Sequence, residues 1–176
     1  MTDHQPGLRP LIVVMGVAGS GKTTVGAALA QRLRLDYADA DVFHDGANVA
    51  KMAAGHPLDD DDRLPWLQAI GHWLAAHEQS GGVASCSALR RRYRDVLRTA
   101  APRVEFLHLD GDPHVVSERV ATRVDHFMPA SLVGSQLATL ERLQPDETGS
   151  RFDLSATVDN IVANFTATLT KAGDRP

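Results

Sequence analysis

The sequence predicts an α/β fold in which a central parallel sheet of about five strands is flanked by helices. Short apolar, β-branched runs alternate with segments of helical periodicity, the order of elements that builds a parallel sheet. The first run, Pro10–Met15, is apolar without interruption, as expected for a strand buried on both faces. The 176 residues are 43% hydrophobic and 23% charged, which suits one globular domain over 1–176.

The remaining elements follow in a regular order. Four further runs are strand candidates, at 35–41, 81–88, 104–110 and 151–155. Helical periodicity occurs at 22–33, 48–55, 63–77, 89–102, 112–124, 130–143 and 158–169. On the third of these helices, five apolar residues share one face: Trp66, Leu67, Ile70, Trp73 and Leu74. Asp112 and Pro113 are the residue types of an N-cap and a first helical position.

Composition excludes several classes of partner. The net charge is -4, whereas binding to a phosphate backbone depends on clustered Lys and Arg, so we expect no nucleic-acid partner. The most apolar stretch, "LIVVMGVAG", is far shorter than the ~20 residues that span a bilayer, and the N-terminus lacks the apolar core of a signal peptide. Cys86 is the only cysteine, so no internal disulfide can form. We therefore expect a cytoplasmic protein with no membrane partner.

A glycine-rich motif follows the first strand. "GVAGSGKT" fits G-x-x-x-x-G-K-[ST] from Gly16 to Thr23, and a helix follows it, as such a motif requires. Backbone amides curl around a phosphate chain, Lys22 reaches the β- and γ-phosphates, and the Thr23 hydroxyl ligates Mg²⁺. A chance glycine-rich turn would match the four fixed positions in only about one in a hundred sequences of this composition, and the required strand–loop–helix context is also present. The predicted nucleotide-binding residues are Gly16, Val17, Ala18, Gly19, Ser20, Gly21, Lys22, Thr23 and Thr24.

Such proteins usually add an acidic residue at the end of a neighbouring strand. Asp110 ends one strand, but "DGDP" is also turn and cap chemistry, which we favour there. The third strand ends without a carboxylate, which leaves Asp39 and Asp41. We favour Asp41, since it is placed at the predicted strand end, where ligands bind in open α/β sheets. It could accept a substrate hydroxyl proton or hold a metal-bound water.

From Val13 to about Glu147 the sequence resembles the gluconokinase family, small P-loop kinases related to shikimate and adenylate kinases. The resemblance lies in "MGVAGSGKTT", "DADVFH", "NVAKMAAGHPLDDDDRLPWL", "CSALRRRYRDVLR" and "RVATRVDHFMPASLVGSQLATLE". It implies phosphorylation of D-gluconate at the 6-hydroxyl by ATP with Mg²⁺, a mobile lid at about 124–131, and a homodimer. Two residues depart from the family pattern: Asp45 stands where a proline is common, and Asp125 where the lid usually has glycine.

The resemblance also implies residue roles. A carboxylated polyol needs cations and short polar groups, for which the substrate candidates are His44, Lys51, Arg63 and Arg90, with Asp41 at the reacting hydroxyl. Without the resemblance, Lys51 and Arg90 would be read as parts of solvated helix faces.

Two arginines and a histidine belong to the region of the predicted lid. Arg119 and Arg123 lie four residues apart, on one helix face, where they could stabilise the charge of a transferring phosphoryl group. We expect Arg123 to be catalytic and Arg119 to contact nucleotide. His126 is expected either to contact substrate or to shape the lid.

The acidic run Asp59–Asp62 precedes an amphipathic helix, so we expect its acids to cap that helix and complement its dipole. A Ca²⁺ or Mg²⁺ site is disfavoured because the run lacks the spaced oxygens of a calcium loop. Cys86 is expected to be a packed strand residue. For the whole chain, two alternatives to gluconate phosphorylation remain: a kinase of another sugar acid or shikimate-like alcohol, and a non-catalytic ATP-binding switch.

Overall fold

A computed structural model of the chain describes residues 8–122 and 131–173. Within these ranges the strands are β1 (Leu11–Met15), β2 (Asp36–Asp39), β3 (Gly82–Ser85), β4 (Glu105–Asp110) and β5 (Gly149–Asp153). The helices are α1 (Lys22–Leu33), α2 (Gly46–Ala53), α3 (Asp60–Ala76), α4 (Arg91–Ala100), α5 (Pro113–Ala121), α6 (Ser131–Thr139) and α7 (Val158–Gly173). The five strands form one parallel sheet in the order β2-β3-β1-β4-β5, which confirms the predicted fold class.

Strand β1 lies at the centre of the sheet, and its alternating side chains enter two separate cores. Leu11, Val13 and Met15 pack with residues of α3 and α4, whereas Ile12 and Val14 pack with residues of α1 and α7. All five residues of β1 are fully buried. The uninterrupted apolar run therefore reflects helices on both faces of the sheet.

Helix α3 begins earlier than its apolar periodicity indicates. Asp59 is the N-cap, and its Oδ1 accepts a hydrogen bond from the Asp62 amide at 2.8 Å. In return, Asp62 Oδ2 accepts one from the Asp59 amide at 3.0 Å, completing a capping box. The remaining acids lie in the first turn, near the positive end of the helix dipole. The predicted capping role of the acidic run is confirmed.

Strand β2 and helix α6 both end before the residues that the sequence pattern predicts. Strand β2 ends at Asp39 because the Asp39 side chain accepts a hydrogen bond from the Asp41 amide and starts a 3₁₀ turn, Ala40–Phe43. Helix α6 ends at Thr139, and the Glu141 amide then donates to the Leu89 carbonyl at 2.7 Å. In both places a specific hydrogen bond overrides the local pattern.

The other expectations for the core also hold. Asp112 caps α5, with Pro113 in its first turn, and Cys86 is buried just beyond β3. Burial raises the pKa of the Cys86 thiol to about 12, so the group is a protonated packing residue. Asp45, the departure from the family pattern, caps α2 by accepting from the Asn48 amide at 2.7 Å. No helix in the described ranges has both the length and the apolar character needed to cross a membrane.

Candidate active site

The phosphate loop, Gly16–Thr23, connects β1 to α1 through a backbone that requires glycine. Gly19 and Gly21 have φ of +80° and +97°, in the left-handed region. A Cβ on Gly19 would lie 2.6 Å from Cγ2 of Val120, so α5 packs directly on the loop. Gly21 is the N-cap of α1 and carries no capping side chain, which leaves the first amides of the helix for a ligand.

The polar groups of the phosphate loop suit a phosphate chain. Ser20 Oγ is buried and has no hydrogen-bond partner within the part of the chain that the structure describes. The Lys22 ammonium folds back over the loop and donates to the Val17 carbonyl at 3.0 Å. The loop thus presents backbone amides, a hydroxyl and an ammonium, which are the donor types that anion binding requires.

Thr23 is joined to strand β2 by a carboxylate. Its Oγ1 donates to Asp39 Oδ2 at 3.0 Å, while Asp39 Oδ1 accepts from the Asp41 amide at 3.0 Å. No group of three or more His, Cys, Asp or Glu side chains within 8–122 and 131–173 is arranged to hold a metal. One hydroxyl and one carboxylate nevertheless fit Mg²⁺, which usually takes one or two protein ligands and completes its shell with water and substrate phosphates. Asp39, rather than Asp41, contacts Thr23.

A cavity beside the phosphate loop has three sides. The first is the phosphate loop together with Asp39, Asp41, Ser85 and Ser87. The second, here called the distal wall, consists of His44, Met52, Pro57, Leu58, Arg63 and Trp66. The third is one face of α6, with Leu132, Ser135, Gln136 and Thr139. A molecule in this cavity would therefore lie between the phosphate loop and the distal wall.

His44 stacks on Trp66 in the distal wall, with ring centroids 4.3 Å apart and planes 9° from parallel. Trp66 is itself fixed, because its Nε1 donates to the Ala40 carbonyl at 2.7 Å. Burial, reinforced by the charge of Arg63, lowers the pKa of His44 to about 4. His44 is therefore a neutral ring near pH 7, and its Nδ1 is buried with no partner in the described residues. It can exchange hydrogen bonds with a hydroxyl group.

Arg63 supplies positive charge to the cavity. Its Nε donates to the Leu58 carbonyl at 3.2 Å, and its guanidinium lies 5.5 Å from the centre of the Tyr93 ring. Both contacts restrict the side chain without neutralising its charge. Arg63 is the cationic residue of the distal wall, and it faces a cavity that also holds Lys22.

The acidic run fastens the helices that carry the distal wall. Asp62 receives a hydrogen bond from Lys51 Nζ at 2.5 Å, which joins α2 to α3 and raises the pKa of Lys51. Asp60 accepts from the Tyr93 hydroxyl at 2.5 Å and pairs with Arg92, which joins α3 to α4. These acids are thus used in contacts between helices.

The loop after β3 is fixed by a buried ion pair. Arg94 is fully buried and forms a bidentate pair with Glu147, at 2.7 Å for each hydrogen bond. Its remaining nitrogen donates to the carbonyls of Ala88 and Glu141, both at 3.0 Å. Burial raises the pKa of Glu147, but hydrogen bonds from Arg94, the Gln144 amide and Arg98 outweigh it and lower the pKa to about 2.

A second cavity lies on the other side of the phosphate loop. It is lined by residues of the loop, α1, α5 and the chain after β5, among them Thr24, Arg119, Leu154 and Ala156. Arg119 donates to the Leu154 carbonyl at 3.0 Å, so it bridges α5 to the segment after β5. The phosphate loop therefore separates two cavities, one of which reaches the segment between β5 and α7.

Comparison with known proteins shows which family the chain resembles over most of its length. The family model described as shikimate kinase matches residues 18–146. A gluconokinase of Gluconobacter oxydans (strain 621H) is 48% identical over 152 residues, which are 84% of this chain and 85% of that protein. The chain belongs to the gluconokinase family.

Two solved structures of similar proteins have the same overall fold. An unliganded sugar kinase from Janibacter sp. HTCC2649 is 46% identical, with a TM-score of 0.87 over 92% of this chain and 95% of that one. A gluconokinase from Sinorhizobium meliloti 1021 is 43% identical, with a TM-score of 0.85 over 94% of each chain. Both cover nearly the whole length of this gluconokinase-family chain.

The structure brings only some of the predicted site residues together. Lys22, Thr23, Asp41, His44 and Arg63 line the first cavity. Arg119 and Thr24 line the second. Lys51 and Arg90 line neither: Lys51 is paired with Asp62, and Arg90 is the N-cap of α4. Arg123, Asp125 and His126 lie outside the described residues, as does all of the predicted lid except residue 131.

The predicted site residues did not include Asp39 and Gln136, which both hydrogen-bond to the phosphate loop. Asp39 was set aside in favour of Asp41, although its spacing from Asp41 already placed both on one side of the chain. Gln136 carried no recognisable signal, since a single polar residue on a helix resembles any exposed position. Its side chain nevertheless accepts a hydrogen bond from the phosphate loop.

Proposed function

We propose that this protein phosphorylates D-gluconate at its 6-hydroxyl, using ATP and Mg²⁺, to give 6-phospho-D-gluconate and ADP. The observation that carries the proposal is a single cavity in which a phosphate loop faces a distal wall with one cation and a neutral histidine. A polyol with one carboxylate matches that wall. The relatives named gluconokinase support the same substrate.

ATP supplies the γ-phosphoryl group when bound, and Mg²⁺ offsets the charge on its phosphates. The amides of the phosphate loop and Lys22 would hold the phosphate chain, with Arg119 and Thr24 toward the nucleotide in the second cavity. Thr23 and Asp39 would hold the metal. Asp41 also lines the first cavity, but it is Asp39 that hydrogen-bonds to Thr23. Asp41 is therefore the carboxylate that would contact the acceptor substrate.

Asp41 would orient the 6-hydroxyl and accept its proton as the phosphoryl group moves. Arg63 would pair with the carboxylate at the other end of the gluconate, and His44 would hydrogen-bond a hydroxyl between them. Positioning and electrostatics of this kind supply most of the rate in phosphoryl transfer. By resemblance, Lys51, Arg90 and His126 are further substrate residues, Arg123 is a further catalytic residue, and the protein is a cytoplasmic homodimer.

The proposal is tested by measuring ADP release with purified protein and Mg·ATP. The acceptors are D-gluconate, shikimate, another sugar acid and D-glucitol, a polyol without the carboxylate. We expect turnover with gluconate, and only weak turnover with the others. Mass spectrometry of the product locates the phosphate. Equal turnover of all acceptors, or none with gluconate, would overturn the proposal.

A substitution of Arg63 tests the proposed contact with the gluconate carboxylate. Arg63→Met keeps the apolar stem over Tyr93 but removes the charge. We expect it to raise the KM for gluconate by roughly tenfold or more, the cost of losing a charge-assisted hydrogen bond, with little change for ATP. Arg32→Met, in the last turn of α1, is the matched control.

A further inference from the structure

The side chain of Gln136, on α6, contacts the phosphate loop. The Ala18 amide donates to Gln136 Oε1 at 2.7 Å, across 118 positions of sequence. Gln136 shares its helix face with Leu132, Ser135 and Thr139, all of which line the first cavity. The contact therefore lies within the cavity and joins the phosphate loop to α6.

The position of the contact indicates which end of the phosphate chain it meets. Ala18 lines the first cavity, which contains Lys22 and Asp41, and is not part of the lining of the second. The Ala18 amide thus lies at the end of the loop that faces the acceptor. A backbone N–H has one proton to donate, so Gln136 Oε1 occupies the place that a terminal phosphoryl oxygen would take.

A carboxamide can serve that place in two ways, because it carries an acceptor oxygen and a donor NH₂ group on one carbon. With the oxygen toward the loop, it pairs with the Ala18 amide. A half-turn about the last side-chain torsion puts the NH₂ group there instead, where it can donate to a phosphoryl oxygen. That torsion is broad and roughly two-fold, so the side chain's own torsional preference does not fix either orientation.

We propose that Gln136 is a residue of the transfer site whose carboxamide pairs with the Ala18 amide and, turned over, donates to the terminal phosphoryl group of a bound nucleotide. This inference rests on the kinase activity proposed above. It assigns to α6 a direct part in recognising the phosphoryl group, beyond closing one side of the cavity.

Two substitutions separate this role from a merely structural tether between α6 and the loop. Gln136→Glu keeps an acceptor for the Ala18 amide but cannot donate, and it adds negative charge beside the phosphates. Gln136→Met keeps the length of the side chain and removes both polar atoms. A structural tether would be preserved by Glu and lost in Met; a phosphoryl donor would be lost in both and opposed in Glu.

We expect Gln136→Glu to weaken binding of a non-hydrolysable ATP analogue by at least about tenfold, measured by calorimetry without acceptor. Gln136→Met should change that affinity by less than about threefold, because it removes both the oxygen that competes with phosphate for the Ala18 amide and the NH₂ group that donates to the phosphoryl group. It should nevertheless lower kcat with gluconate by about tenfold. Gln31→Glu and Gln31→Met, on the exposed side of α1, should match the wild type.

Wild-type affinity for the analogue in Gln136→Glu, with a loss confined to Gln136→Met, would overturn the proposal and leave Gln136 as a tether. Melting temperatures of all variants identify any loss that comes from unfolding. Should Gln136→Glu unfold, the nucleotide affinity of Gln136→Met still decides, since a tether predicts a loss there and a phosphoryl donor a change of less than about threefold. The nucleotide titration needs no gluconate. Failure of the wild type to phosphorylate gluconate would thus refute the substrate while the effect on nucleotide affinity is judged separately.

Discussion

The phosphate loop and the distal wall face each other across one cavity, but they are built differently. The phosphate loop is a run of consecutive residues whose ligand-binding groups are mainly backbone amides. The distal wall takes side chains from the 3₁₀ turn region, α2 and α3, and it is kept in place by ion pairs such as Lys51–Asp62 and by the Tyr93–Asp60 hydrogen bond. The phosphate loop is thus formed by one short segment of the chain, whereas the distal wall is formed by several segments that pack together.

This difference teaches where each region is vulnerable. A change in a side chain of the phosphate loop removes a charge or hydroxyl from the ligand while the backbone cradle remains. A change behind the distal wall acts through the packing that positions it. We therefore expect substitutions in the phosphate loop to affect turnover at nearly constant stability, and substitutions in the supporting contacts to affect stability first.

The strongest test of the phosphate loop is Lys22→Ala. We expect kcat to fall by roughly a thousandfold, because a fixed positive charge that stabilises the transferring phosphoryl group is lost. The melting temperature should change little, since the hydrogen bond from Lys22 to the Val17 carbonyl lies within the phosphate loop itself. ADP release and thermal unfolding are measured together, with Arg32→Ala as the control. A large loss of stability would break the contrast between the two regions.

The strongest test of the supporting contacts is Arg94→Met. It leaves Glu147 buried with fewer donors, so we expect a loss of about 3–5 kcal/mol in the free energy of unfolding. Urea unfolding followed by tryptophan fluorescence measures this. Arg142→Met breaks the exposed pair with Asp110 and should cost less than about 1 kcal/mol. Similar costs for both variants would show that the buried pair does not support this side of the site.

Asp39 and Asp41, at and just after the end of β2, are expected to have different roles that substitutions can distinguish. Asp41→Asn should lower kcat by about a hundredfold, as for loss of a general base, with ATP affinity unchanged. Asp39→Asn should instead raise the Mg²⁺ concentration needed for half-maximal rate, because Asp39 holds the Thr23 hydroxyl. Turnover is measured against both acceptor and Mg²⁺. Full activity of Asp41→Asn would exclude it as the base.

The smallest expected effect concerns pH at the distal wall. An ordinary imidazole gains charge as pH falls through about 6.5 and would attract a carboxylate more strongly. The pKa of His44 is lowered to about 4, so it stays neutral, and we expect kcat/KM for gluconate to change less than twofold through His44 between pH 8 and 5.5. The profile is compared with that of His44→Asn. A rise near pH 6.5 that the variant lacks would contradict this.

The same lowered pKa has a consequence for folding. The unfolded chain, with an ordinary histidine, binds a proton near pH 6.5 that the folded chain does not accept until about pH 4. The stability contributed by neutral His44 is therefore fully present above pH 6.5 and is lost as pH falls toward 4. The buried His108 contributes in the same direction, since burial also lowers its pKa to about 4.

The sequence by itself determined the parallel sheet, the phosphate loop and the capping of α3, because each depends on neighbouring residues: a strand's apolar run, glycines at fixed spacing, and an N-cap beside its first turn. Only the tertiary structure decided that Asp39 contacts Thr23, that Lys51 is held by Asp62, and that Gln136 reaches the Ala18 amide. Those contacts join residues far apart in the chain, or choose between two equivalent acids. Such choices are made by how the helices pack on the sheet, which no local pattern encodes.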